Sequence, residues 1–216
     1  MANIIALENV KVEFPIFNAS TRSLKKNLLK SVTGGIIGKN SKDRQVVTAL
    51  DGITFALERG DRLALIGHNG SGKTTLLRVL AEIYHPTSGS IVIDGKPTPM
   101  FDIGLGIDPE ATGYENIIIR GLYLGLSRRE IEEKVEAIAE FSELGDFLNM
   151  PVYTYSSGMN IRLAFAVSTS IKPEILLLDE WIGAGDANFA RKAEERVSEI
   201  VRESSILVLA SHNMQL

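Results

Sequence analysis

A chain of 216 residues, 44% hydrophobic and 23% charged, has room for one large domain or two small ones and the composition of an ordinary globular protein. Its net charge of −4 gives no global attraction to nucleic acid or to an anionic membrane, and no nucleic-acid partner is expected. Without cysteine, disulfides and thiolate zinc sites are excluded; without an apolar run of ~18–20 residues or the basic and apolar regions of a signal peptide, the expectation is a soluble chain that reaches a membrane only through a partner.

Residues 4–14 alternate moderately and predict a strand ended by Pro15. Between 18 and 44 the composition shifts: seven basic residues (Arg22, Lys25, Lys26, Lys30, Lys39, Lys42, Arg44) stand against one acid, Asp43. Leu24, Leu28 and Val32 recur at helical spacing, so 23–32 predicts a short basic amphipathic helix stopped by Gly34 and Gly35. It reads equally as a solvated insertion or as a helix lying on a membrane surface. Residues 46–57 predict one or two strands broken at Asp51-Gly52, and 58–61 a turn into the apolar run 62–66, expected as a buried strand.

Gly67-His68-Asn69-Gly70-Ser71-Gly72-Lys73-Thr74 follows, and satisfies G-x-x-x-x-G-K-[ST] at every fixed position, with a helix-compatible run from Thr75 after it. Glycines let the backbone curl until successive N–H groups point at a phosphate, and the helix start adds its positive dipole end. Lys73 would bridge the β- and γ-phosphates of a nucleotide, and the Thr74 hydroxyl would hold Mg²⁺. Residues 85–89 predict a loop, 90–93 a strand, and Asp94-Gly95 its hairpin turn. Beyond the glycine-punctuated stretch 102–109 helices are expected. The clearest opens with a Ser127/Glu130 capping box and carries Ile131, Val135, Ile138 and Phe141 on one face. Another follows Gly158, a third spans 189–201, and 205–210 predicts a buried strand.

The run Ile175-Leu176-Leu177-Leu178-Asp179-Glu180 predicts a core strand ending in two carboxylates. Beside a phosphate loop, Asp179 would enter the Mg²⁺ shell and Glu180 would orient and deprotonate the attacking water. Ser156-Ser157-Gly158-Met159 opens a helix; in isolation it is a plain N-cap, and its place before Asp179 raises a second reading as an anion-binding turn.

Together these features resemble the nucleotide-binding subunit of ABC transporters over nearly the whole chain. The resemblance implies an α/β fold: a P-loop NTPase core of mostly parallel sheet with flanking helices, an N-terminal antiparallel β subdomain and an inserted helical subdomain. It divides the chain into 1–101, 102–158 and 159–216. It implies ATP and Mg²⁺ as ligands, Gly67 through Thr75 as the phosphate cradle, and Ser156, Ser157, Gly158 and Met159 as the signature loop. It further implies Gly183-Ala184-Gly185-Asp186 as the D-loop, His212 as the switch histidine on the γ-phosphate, and Phe14, with Phe17 in competition, as the ring stacked on adenine. Two copies are then expected to sandwich ATP between them, each completing the other's site, and to drive a membrane channel subunit.

Departures narrow the branch. The signature reads Ser-Ser-Gly-Met, Trp181 follows Glu180 where proline is usual, and the Q-loop has no glutamine, leaving Asp102 as a substitute candidate. Three stretches resemble the ATPases that export lipid-linked polysaccharides such as O-antigen or teichoic acid: Gly104-Leu105-Gly106 through Thr112-Gly113-Tyr114-Glu115-Asn116, Ser156 through Phe165, and Gly185-Asp186 with Phe189 and Lys192. That branch also carries an insertion like Ser23 to Lys26, which favours the membrane reading of the basic helix. The ending Asn213-Met214-Gln215-Leu216, directly after a strand-like run, is that expected of a truncated chain. Rival readings are an ABC ATPase for another cargo, a soluble ABC-type ATPase acting on ribosomes or DNA, and a non-hydrolysing regulator. The last is disfavoured by Lys73, Asp179 and Glu180 together.

Overall fold

The computed structural model describes residues 4–16, 36–39, 45–101, 104–179 and 187–211. The basic helix expected over 23–32, Phe17, Asp102, the stretch 180–186 with Glu180, Trp181 and the D-loop, and His212 lie outside the described residues. Two compact units share the chain: Met1–Pro99 with Glu174–Trp181 and Ser205–Leu216, and Met100–Pro173 with Ile182–Ser204.

The first unit holds two four-stranded sheets. In the antiparallel one, β1 (Ile5–Pro15) lies between β3 (Gln45–Leu57) and β5 (Ser88–Ile93), with β2 (Ile36–Lys39) outside β3. Ile5 and Leu7 are buried, then Val10 and Val12. The alternation slips by one residue because Asn9 adopts a left-handed conformation (φ 54°) at a bulge between Leu7 and Val10, which returns the later residues to the core face. This explains the imperfect alternation of the sequence. Opposite, β3 runs unbroken through Asp51-Gly52, where Gly52 is left-handed (φ 71°), with the Asn9 amide donating to Thr54 Oγ1 at 2.8 Å.

The parallel sheet runs β4 (Arg62–Ile66), β8 (Ile206–Ser211), β7 (Ile175–Asp179), β6 (Pro97–Pro99). Helix α1 (Lys73–Leu80) lays Leu76, Leu77, Val79 and Leu80 against it. Two expectations are corrected. β4 is not a buried strand: β8 is its one neighbour among the described residues, and Ile66 is 51% exposed. Asp94-Gly95 is not a hairpin turn, since β5 pairs with β1 and β6 pairs with β7. Gly95 (φ +131°) instead carries the chain from one sheet to the other, and a Cβ there would lie 2.9 Å from Glu174 Oε2 and 3.3 Å from Ile175 Cδ1. Only a residue without a side chain lets the crossing pass so close to the start of β7. β6, bounded by two prolines at the end of the sheet, is where a strand tolerates missing donors.

The second unit is helical: α2 (Gly113–Tyr123), α3 (Arg128–Glu132), α4 (Val135–Ser142), α5 (Ser157–Ser168) and α6 (Ala187–Glu203), with two 3₁₀ turns at Gly145–Asn149 and Val152–Thr154. The single helix expected from Ser127 to Phe141 is two. The Ser127/Glu130 capping box forms, but the chain tightens at Glu133-Lys134, where the Lys134 amide bonds to the Ile131 carbonyl three residues back, and α4 starts anew. Ile131, Ile138 and Phe141 nonetheless share the core, while Val135 is half-buried. Helix α2 opens with a second capping box, Thr112 with Glu115. Phe141, Phe165 and Phe189 meet at the centre, their ring centroids 5.8 to 6.1 Å apart.

Candidate nucleotide site

The loop between β4 and α1 leaves the C-terminal end of a parallel strand, the place where open α/β sheets bind ligands. The Ser71 amide closes the turn on the His68 carbonyl at 3.2 Å. Gly72 (φ +97°) caps the helix, and a Cβ there would lie 2.6 Å from the Ala49 carbonyl oxygen and 3.1 Å from Leu50 Cδ2. Both the dihedral and the contact with β3 therefore require glycine. No side chain among the described residues caps α1, so the first N–H groups of Lys73, Thr74 and Thr75 face outward as donors. Lys73 folds back over the loop, its Nζ donating to the carbonyls of Gly67 at 2.7 Å and His68 at 3.2 Å. Its ammonium is thus held at the loop rather than in bulk solvent. His68, Asn69, Gly70 and Ser71 form the exposed rim.

Asp179 sits at the C-terminal end of β7, in the same sheet as β4 and one strand beyond β8. The Thr74 hydroxyl donates to Asp179 Oδ2 at 2.6 Å. A hydroxyl and a carboxylate at this separation are hard oxygen donors of the kind that hold Mg²⁺. Among the described residues no group of three or more His, Asp or Glu forms a protein-only metal cage. A divalent ion here would take the rest of its ligands from phosphate and water, which is how Mg²⁺ is ordinarily bound.

Phe14, 37% exposed at the end of β1, packs edge-on against Tyr84, with ring centroids 5.4 Å apart and planes at 72°. Arg78 Nη1 donates to the Tyr84 hydroxyl at 3.3 Å and its guanidinium lies over the ring. Tyr84 was not legible as a site neighbour, because its partner comes from a strand seventy residues away in sequence.

In the second unit Ser156 caps α5, its Oγ accepting from the Met159 amide at 3.2 Å. Ser156 and Ser157 are exposed, and Gly158 and Met159 half-buried. Among the described residues a Cβ on Gly158 would meet only Ser156 Oγ, at 3.9 Å. Nothing in its own described surroundings requires glycine there. These residues border a hollow of about 250 Å³ that also touches Glu143, Phe147 and Arg162. Glu143, left-handed at φ 56°, accepts from Lys192 Nζ at 2.7 Å and lies 3.8 Å from Arg162 Nη1. The Lys192 hydrogen bond holds its carboxyl below the usual value. Arg162 stacks over Phe189, with 5.1 Å between guanidinium carbon and ring centre. The Ser156–Phe165 and Phe189–Lys192 stretches, separate in sequence, are therefore one packed assembly. Glu143, which joins them, carried no signal in the sequence beyond being an acid at a helix end.

Residues 50–183 match the family model described as ABC transporter. Over 212 residues the chain is 50% identical to the O-antigen export system ATP-binding protein RfbE of Yersinia enterocolitica, covering 98% of this chain and 89% of that protein. It is 36% identical to the O-antigen export system ATP-binding protein RfbB of Klebsiella pneumoniae (99% and 85% covered). To the teichoic acids export ATP-binding protein TagH of Shouchella clausii it is 34% identical, covering 97% of this chain and 56% of that one. The dimeric post-hydrolysis structure of the ATP-binding cassette MJ0796, bound to ADP and Pi, superposes with a TM-score of 0.67 at 19% identity, over 97% of this chain and 88% of that one. That likeness carries the fold, while the matched span takes in the phosphate loop, Ser156–Met159 and Asp179. On these grounds the chain belongs to the ABC transporter family.

Proposed function

We propose that this protein is the ATP-hydrolysing subunit of a transporter that exports a lipid-linked polysaccharide, O-antigen or a similar glycan, across the cytoplasmic membrane. The observation that carries the ATPase reading is the 2.6 Å bond between Thr74 and Asp179. It joins the phosphate loop to the acidic strand end, so one ion could be shared between protein and nucleotide. The first amides of α1 and the Lys73 ammonium would neutralise the β- and γ-phosphates. Mg²⁺, held by Thr74 and Asp179, would neutralise negative charge on the phosphates. Glu180 would take the proton of the attacking water, His212 would contact the γ-phosphate, and Phe14 would cover the adenine.

Gly158 supports the dimeric part of this reading. A glycine that its own described surroundings do not need is explained if phosphate presented by a second copy approaches Ser156, Ser157 and Gly158. The cargo assignment rests on the names of the relatives, RfbE and RfbB among them, and on the basic stretch around Lys25 and Lys26. No helix among the described residues is long and apolar enough to cross a membrane; on this reading an integral membrane subunit forms the channel, with this chain on its cytoplasmic face.

The test is co-purification followed by reconstitution of the pair in vesicles with labelled glycolipid. ATP-dependent translocation in which Lys25→Glu with Lys26→Glu loses export but keeps basal hydrolysis supports the cargo reading. A chain that co-purifies with ribosomes and no membrane protein would overturn it.

A further inference from the structure

Arg120, on the face of α2, is 3% exposed. Its Nη2 donates to Ser168 Oγ at 2.9 Å, its Nη1 donates to the Leu105 carbonyl, and its Nε has no partner among the described residues. No carboxylate among the described residues pairs with it. Burial pulls the guanidinium pKa down to about 10, still well above neutrality, so the group stays charged. A buried charge without an opposite charge is not a device for stability, since an apolar side chain of similar volume is usually as stable or more so.

What the guanidinium joins is more informative. Leu105 lies between Gly104 and Gly106, the latter at φ +81°. Its side chain is 53% exposed, so the loop is not anchored by burying it. The anchor is its backbone carbonyl, turned inward onto Arg120. The other end of the clamp, Ser168, is the last residue of α5, and its hydroxyl donates to the Ala164 carbonyl at 2.8 Å. One rigid planar fork thus ties a glycine-flanked loop to the helix whose first turn is Ser157, Gly158 and Met159.

We infer that Arg120 is a positioning residue of the ATP cycle, making the 104–106 loop and the Ser156-capped helix move as one body. The part about the cycle rests on the ATPase reading above; the clamp itself does not. Displacement of the loop would reach Ser156–Met159 through α5 instead of being absorbed at the glycines.

The experiment compares the wild-type chain with Arg120→Met, Arg120→Lys and Ser168→Ala. In Arg120→Met the unfolding midpoint should be unchanged or higher, while kcat for ATP falls about tenfold with KM nearly constant. Arg120→Lys should recover part of the loss, since an ammonium reaches one partner but not both. Ser168→Ala should lower kcat in the same direction and by less, and stands in if Arg120→Met does not fold. By hydrogen exchange, amides of 104–106 and of 156–160 should both open about tenfold faster in Arg120→Met. Acceleration confined to 104–106, or activity that falls only as the folded fraction falls, would overturn the inference. So would wild-type kcat in both Arg120→Met and Ser168→Ala. A wild-type chain with no ATPase activity would instead sink the proposed function and leave the exchange measurement to judge the clamp.

Discussion

Two glycine-bearing turns of this molecule, the phosphate loop and the turn before α5, differ in what holds them. In the phosphate loop Gly72, Lys73 and Thr74 each have a reason within the fold: Gly72 lies against the Ala49 carbonyl, Lys73 holds two loop carbonyls, and Thr74 holds Asp179. In the turn before α5 only Ser156 has one, as the cap on the Met159 amide, and Gly158 has none among the described residues. The first turn is complete as a fold. The second is complete as a helix start but leaves a glycine that its described surroundings do not require.

That contrast can be broken in several ways. Lys73→Ala should lower ATP hydrolysis by about a thousandfold with an unchanged circular dichroism spectrum, because among the described residues the side chain hydrogen-bonds only to loop carbonyls; phosphate release close to wild type would remove Lys73 from the chemistry. Glu180→Gln should slow hydrolysis about a hundredfold while still binding ATP, and should run as a dimer on gel filtration with the nucleotide. A monomer with full activity would end the role given to Glu180. The sharpest comparison pairs the glycines. Gly72→Ala should lose about 3 kcal/mol of stability from its dihedral and its clash with Ala49. Gly158→Ala should keep its melting temperature and lose about tenfold in kcat. If Gly158→Ala were destabilised like Gly72→Ala, the two turns would not differ in kind.

The smallest effect concerns pH. The Glu143 carboxyl has a folded pKa below the ordinary 4.5. The stability it contributes is therefore complete above about that pH and disappears as pH falls through the lower folded value. Because the pair is partly exposed, the change is small. Urea unfolding at pH 6 and pH 3, with Glu143→Gln as control, should show a slightly steeper acid loss in the wild-type chain than in the variant.

Local chemistry was legible in the sequence and long-range geometry was not. The phosphate loop, the apolar strand ending at Asp179 and the Ser156 cap each declare themselves within about ten residues, through dihedral needs, burial and capping. The Thr112/Glu115 box obeys the same rule as Ser127/Glu130 and could have been read as the start of α2. Sheet membership is different. Asp94-Gly95 looks like a hairpin turn to any local rule, and only the pairing of β6 with a strand more than seventy residues later makes it a crossing. The apolar run of β4 likewise says nothing about which strand flanks it. Arg120 and Glu143 belong to this second kind, since their partners lie fifteen to forty-nine residues away.

Thr112, Ser127 and Ser156 supply hydroxyl caps to helices of the second unit, whereas α1 begins at Gly72 with no side-chain acceptor. A helix start satisfied by its own chain has a stability independent of what is dissolved around it. A start that awaits an anion is linked to ligand concentration, gaining RT ln(1 + [L]/Kd) as the site fills. On the proposed ATPase reading, the melting temperature of the unit bearing α1 should rise with nucleotide concentration.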